Sequence, residues 1–549
     1  MKDNNIIYTP KSLWVDFKEQ LNFKESFINE FSSEGITYKN FYFSGIQVDL
    51  EEVRIYTTLA LPNKTNGGVI LVVGNPSKDN NVEIVSFFAK RGFIVLMPDL
   101  KGVSNESHYT VYPTSVSYAN YVNSSSSLFK VGSSVKETCW YIWATVIKST
   151  ISYIKNSLKI DKIALYGIET GADICWVCAD ESVTCFTAIS GAGWQLFNST
   201  NTVLDVFNFT DEQRKFVAGI EAESYAPYVK CPVLYLSPTN SFNFDIELAM
   251  DTLARLSEEV YCDYSPRMRY YLDSLSLNTC LLFFEKHLCG KEVKLYSSPN
   301  VSLVVKDGFV NVNVSYESIS EIAECEVYYS THQCDIFKRN WILLSKEVLK
   351  TYTISSANLF ELVYVFVRVK YNNGFTVCSP ITIKSLEEKN NKRVSKILYS
   401  GIETDSSFAC LVPFSFIAQN YYNEKEVGIE IKNGPFQISG AYCKSGLIDY
   451  SIGAVSKELN ANCMIKFDFY SEKYNVFTVS LLVCEGKGHD VKEYKLFLKS
   501  KGIEAWNNFC ESLLDFKDEN GKSIKDFSSI YAITFCSEEE FLISNLLVV

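Results

Sequence analysis

The chain has 549 residues, of which 47% are hydrophobic and 21% charged, and its net charge is −12. At roughly 100–200 residues per domain, about two to four domains are expected. This composition excludes a disordered or collagenous chain, and the acidic balance argues against a nucleic-acid partner, which needs a basic surface.

No apolar run reaches the roughly 18 residues of a membrane span, so no membrane partner is expected. Met1-Lys2-Asp3-Asn4-Asn5 leads into no apolar stretch, which predicts no secretory leader and a cytoplasmic chain. The 17 cysteines are odd in number and scattered through apolar runs, as reduced, buried thiols would be. The sole Cys-x-x-Cys, Cys175-Trp-Val-Cys178, lies in a helical segment with no second pair at zinc spacing. Core packing is the better reading than metal or redox chemistry, and no metal or cofactor is expected. Histidine is scarce: His108, His287, His332 and His489 are the whole set.

In chain order, residues 1–292 alternate strand-like and helix-like segments. Val69–Val73 is a continuous β-branched run of the kind buried on both faces of a parallel sheet. A helix is predicted from about Val82 to Arg91, then a strand over Gly92–Asp99. A loop rich in Ser, Tyr and Asn precedes a helix from about Ser134 to Asn156. Strands follow at Lys162–Tyr166, Cys185–Ile189 and Pro232–Leu236, and an amphipathic helix over Leu272–Leu288 closes the region. Repeated βα units predict a doubly wound α/β domain.

Residues 293–388 change character. Val301–Val305, Val310–Val314 and Val363–Val369 are strand-like, and Asn372-Asn373-Gly374 marks a hairpin turn. No helix of useful length fits, so an immunoglobulin- or fibronectin-like β-sandwich is expected. The polar run Glu387–Arg393 then opens a third region, 389–549. Strand patterns near Val427, Met464–Phe469 and Val476–Val483 fit a β jelly roll.

The most informative segment is Gly167-Ile168-Glu169-Thr170-Gly171, between a buried strand and a helix. It has the spacing of the Gly-x-Ser-x-Gly nucleophile elbow, with glutamate in the serine position. Tyr109–Pro113, Ser117–Tyr121, Glu137–Trp140, Gly191–Trp194, Cys231–Leu234 and Leu282–Leu288 extend the pattern. With these segments, the first region resembles α/β-hydrolases of the acetyl xylan esterase, cephalosporin-C deacetylase and dienelactone hydrolase type. The resemblance implies a triad in the order Ser, Asp, His. Matched residue by residue, Glu169 takes the nucleophile position, Ser241 the acid position, with Asn240 and Asp245 beside it, and Tyr270 the histidine position. None of the three carries the residue type the resemblance implies.

Losing a triad nucleophile or its histidine lowers turnover on the order of a million-fold. A carboxylate at the elbow also opposes the oxyanion that acyl transfer must build. The main expectation is therefore a non-catalytic homologue, a pseudo-esterase that binds a carbohydrate, an acylated small molecule or a protein. An esterase-like hydrolase with a rebuilt site is the alternative, with Glu169 as nucleophile or base and His108 as a substitute partner. A structural or assembly role is the third. Trp194, Tyr109 and Tyr270 are candidate walls of a ligand pocket, although each aromatic alone also suits a core. Residues Ile503–Phe535 and Glu540–Leu547 resemble the last strands of carbohydrate-binding jelly rolls, with Tyr421, Tyr422 and Tyr442 as candidate sugar platforms and Trp506 as core.

Overall fold

A computed structural model describes residues 6–18, 20–196, 209–241, 243–306, 309–331, 336–355, 362–386, 396–399, 407–411, 428–484, 491–502 and 504–549. The linker 387–393, His332, His489, Tyr421 and Tyr422 lie outside these residues. The chain divides into two compact units. The first comprises residues 1–237, 244–263 and 276–297; the second comprises 238–243, 264–275 and 298–549. No helix among the described residues is long and apolar enough to cross a membrane.

The first unit is built on a nine-stranded mixed sheet. Its strands are β1 (Ser26–Ser33), β2 (Ile36–Val48), β3 (Glu51–Pro62), β4 (Val69–Val73), β5 (Ile94–Pro98), β6 (Ile163–Ile168), β7 (Cys185–Ile189), β8 (Val233–Pro238) and β9 (Val260–Ser265). The order across the sheet is β1-β2-β3-β5-β4-β6-β7-β8-β9. The β1, β2, β3 and β5 pairings are antiparallel. From β5 through β4, β6 and β7 to β8 they are parallel. Every residue of β4, β6, β7 and β8 is buried. Those sequences read as unbroken apolar runs for that reason.

Helices cover both faces. Tyr166 and Thr187 are register partners, so Phe186, one residue away, faces the opposite side. Tyr166 packs against Phe88 and Phe284, from helices Val82–Ala89 and Ser274–His287. Phe186 packs against Trp176 of the helix Thr170–Cys178. The expected α/β elements from Val69 onward are present. The sequence reading named no strand before Val69, yet β1, β2 and β3 form a third of this sheet. In β2 the buried hydrophobic residues are Ile36 and Tyr38, then Phe41 and Phe43, so the alternation changes face within the strand and gives no single period-two signal.

In the second unit all the sheets are antiparallel in their described pairings. A three-stranded sheet joins Asn300–Lys306, Phe309–Ser315 and Thr351–Ser355. A five-stranded sheet is centred on Ile322–Thr331 and Leu362–Tyr371, and the turn at Asn372–Gly374 leads into Thr376–Cys378. Further on, a six-stranded and a five-stranded sheet share one apolar core. Phe467, Phe469 and Ile543 come from the first of these sheets, and Phe477, Val479 and Phe535 from the second. The interlocking of Phe469 between Phe477 and Phe541 is typical of this interior. The C-terminal half is thus β-sandwich in character.

Candidate functional site

The site begins where the sheet order reverses. β4 lies between β5 and β6, so the loops after β4 and β6 leave the sheet side by side. Such a switch point opens a crevice at the carboxyl ends of parallel strands. Glu169 follows β6 at φ 53° and ψ −124°, a strained backbone for a residue with a Cβ. The helix Thr170–Cys178 starts at once behind it. A Cβ at Gly171 would sit 2.2 Å from the Val73 carbonyl, and one at Gly167 would sit 2.4 Å from the Ala172 Cα. No side chain fits at either place, so the elbow glycines are required by the closeness of strand and helix.

The Glu169 side chain is mostly enclosed, with 14% exposure. One carboxylate oxygen accepts a hydrogen bond from the Asn75 amide at 2.6 Å and pairs with the Lys78 ammonium at 3.4 Å. Both partners come from the loop after β4. Asn75 is pre-aligned, because its own Oδ1 accepts from the Ser77 N–H at 3.0 Å and so turns the amide nitrogen outward. In an elbow enzyme a donor from this loop faces the oxyanion. Here its side chains neutralise a resident carboxylate instead. Asn75 and Lys78 were missed in the sequence, although the turn Gly74-Asn75-Pro76 directly after a buried strand marks the loop opposite the elbow.

His108 packs among tyrosines. Its ring stacks on Tyr56 at 5.8 Å and meets Tyr42 edge-on at 6.3 Å. No hydrogen bond or ion pair among the described residues joins it to Glu169. Tyr109, next in sequence, is half-buried, and its backbone hydrogen-bonds the Tyr42 hydroxyl. The loop carrying both residues is fixed by Asp99 at the end of β5. That buried carboxylate accepts from the N–H groups of Lys101, Gly102 and Thr110 at 3.1, 3.2 and 2.7 Å. Burial raises its pKa to about 6.

Trp194 belongs to a second buried acidic system. Four successive backbone N–H groups donate to three carboxylates: Gly193 to Asp173, Trp194 to Glu223, and Gln195 and Leu196 to Glu221. Burial raises the pKa of all three, that of Glu221 to about 7. The Trp194 indole N–H donates to Thr252 at 3.2 Å, and the Arg255 guanidinium lies over its ring. Cys175 and Cys178 are buried in the elbow helix, and desolvation pushes both thiols up, Cys178 to about 12.

The segments matched to the acid and the histidine belong to the second unit. Ser241 is buried there. Its neighbour Asn240 donates its amide to the Arg339 carbonyl at 2.7 Å, while its backbone N–H donates to Met268. Asp245 caps the helix Ile246–Leu253, accepting from the N–H groups of Glu247 and Leu248. Tyr270 packs against the apolar core shared by the two C-terminal sheets, under the Arg269 guanidinium. Arg269 also donates to the Tyr531 hydroxyl at 2.7 Å, and Arg267 donates to the Trp341 carbonyl at 2.8 Å.

No family model and no curated protein matches this chain. Solved structures do. An acetyl xylan esterase from Paenibacillus sp. R4 is 10% identical, with a TM-score of 0.36 over 49% of this chain and 90% of that one. Acetyl xylan esterase 1 from Thermoanaerobacterium sp. JW/SL YS485 is 11% identical, with a TM-score of 0.35 over 49% and 88%. Est1E from Butyrivibrio proteoclasticus is 13% identical, with a TM-score of 0.32 over 45% and 100%.

Proposed function

We propose that this protein is a non-catalytic α/β-hydrolase homologue, followed by an immunoglobulin- or fibronectin-like sandwich and a jelly roll, that binds carbohydrate. One observation carries the loss of chemistry. The residue at the elbow is a carboxylate already satisfied by Asn75 and Lys78; it has no hydroxyl of its own, and no imidazole among the described residues is bonded to it. The use of Asn240, Arg267 and Arg269 as internal ties of the second unit supports the same reading. Their side chains are engaged in hydrogen bonds within that unit.

For sugar binding, the support is an exposed aromatic face on the C-terminal five-stranded sheet. Tyr474 and Val476 on Tyr474–Cys484 and Phe497 on Val491–Lys501 are exposed, and Phe497 is the register partner of Thr478. Lys499 and Lys501 rim them as register partners of Val476 and Tyr474. An aromatic platform with a polar rim suits the apolar face of a sugar ring. Tyr442 serves otherwise: it is buried and donates to Glu540 at 2.9 Å.

A second reading is ester hydrolysis through Glu169, favoured by the elbow backbone, which keeps its strain without a serine. An assay with p-nitrophenyl acetate separates the two. Wild type, Glu169→Ala and Glu169→Ser are expected to match the uncatalysed rate. Wild-type turnover abolished in Glu169→Ala would establish hydrolysis instead. A glycan array with the full chain, beside a Tyr474→Ala/Phe497→Ala variant, tests the ligand class. Silence of the wild type across the array removes the sugar reading.

A further inference from the structure

Cys410 and Cys443 bring their sulfurs to 2.9 Å, inside the van der Waals separation of two unbonded sulfur atoms. They sit on different sheets. Cys410 ends the two-residue strand Ala409–Cys410 of the five-stranded sheet, and Cys443 directly follows the strand Ser439–Tyr442 of the six-stranded one. The backbone holds both sides of the approach. Cys410 is in register with Leu447, and the Leu411 N–H donates to the Gly446 carbonyl at 3.0 Å. The Ser445 hydroxyl lies 3.2 Å from the Cys443 sulfur.

We propose that Cys410 and Cys443 form a redox pair that closes to a disulfide on exposure to a hydroperoxide, stapling the two C-terminal sheets together. The contact between the thiols lowers the pKa of Cys443 and raises that of Cys410, which favours Cys443 as the attacking sulfur. The Cys443 sulfur attacks a peroxide oxygen. The S–O bond forms, the O–O bond breaks, and the departing hydroxide takes a proton to leave as water. The Cys410 sulfur then attacks the sulfur of the sulfenic acid, forming S–S and expelling a second water with the remaining thiol proton. Two thiols lose two electrons in all, and the peroxide gains them. Both residues are almost fully enclosed, Cys410 at 8% and Cys443 at 2% exposure, which suits a small oxidant such as hydrogen peroxide.

Burial raises the thiol pKa of Cys139, Cys175, Cys178, Cys185, Cys231 and Cys280, whereas Cys510 and Cys536 are exposed, so the products are assigned cysteine by cysteine. The test treats the full chain, fully reduced and then freed of reductant, with hydrogen peroxide. Intact mass and non-reducing peptide mapping follow. The expected result is loss of two hydrogens and one cross-linked peptide joining Cys410 to Cys443. A dithiol should reverse it. The oxidised protein should melt about 5–10 °C higher than the reduced one, because the bond closes a loop of 33 residues in the unfolded chain. Cys410→Ser and Cys443→Ser should each abolish the cross-link while keeping the circular dichroism of reduced wild type. A stable oxygen adduct on Cys443 without a cross-link, a cross-link between other cysteines, or unchanged mass would each overturn the proposal.

Discussion

Two residues, one in the elbow and one at the end of β5, carry opposite lessons. Gly171 was legible as a requirement, since a strand that turns at once into a helix leaves no room for a Cβ. Gly171→Ala should therefore destabilise the chain by roughly 3 kcal/mol in urea unfolding, with no relief from a flexible neighbour, because the clash is with the Val73 carbonyl. Asp99 was not legible as an organiser, because a lone aspartate at a strand end looks like any turn residue. What it does depends on three N–H groups that reach it only after the loop folds. Its pKa is about 6 when folded against an ordinary 3.8, so the folded state holds the proton more tightly. Stability from this group is complete below about pH 4 and is lost as pH rises through 6, by about 3 kcal/mol in all. Glu221 acts in the same sense from 4.5 through about 7. Urea midpoints measured from pH 4 to pH 8 should fall across this window. The fall should be shallower in Asp99→Asn than in wild type; equal slopes would refute the assignment.

At the scale of elements, periodicity found the parallel core because its strands are buried on both faces and leave an apolar run in the sequence. It passed over β1, β2 and β3, which are half-exposed and mix polar residues into the pattern. The candidate site was legible only in part, for a related reason. The elbow is local in sequence and can be recognised from five residues. The partners of Glu169 arrive from a loop some 90 positions earlier (|i−j| of 94 to Asn75), and nothing local announces the pairing. The segment Tyr264–Leu275 is another case. Its aspartate, Asp273, forms a two-pronged ion pair with Arg368, one prong at 2.8 Å, and Arg368 is 3% exposed. Removing one member takes from the other its opposite charge in a mostly enclosed place. Arg368→Ala should cost about 3–5 kcal/mol. The double variant Arg368→Ala/Asp273→Ala should be less destabilised than the sum of the singles, as a double-mutant cycle in urea would show.

For the whole molecule, the division into units does not follow the order of the chain. The second unit takes in residues 238–243 and 264–275, which lie between segments of the first. A fragment of residues 298–549 would lack Asn240, Arg267, Arg269 and Asp273, leaving the Arg339 and Trp341 carbonyls and the Arg368 guanidinium without those partners. Limited proteolysis should cut this fragment faster than the same residues in the full chain, and its near-ultraviolet circular dichroism should be weaker. Equal protection would show that the interleaved segments are dispensable. The same interleaving sets a waiting time during synthesis. Arg269 leaves the ribosome 262 residues before Tyr531, the hydroxyl it will hold. At about 5–20 residues per second, this one bond cannot form for roughly 13–50 s. The Asn240 amide and the Arg267 guanidinium wait far less, since the carbonyls they hold follow 99 and 74 residues later.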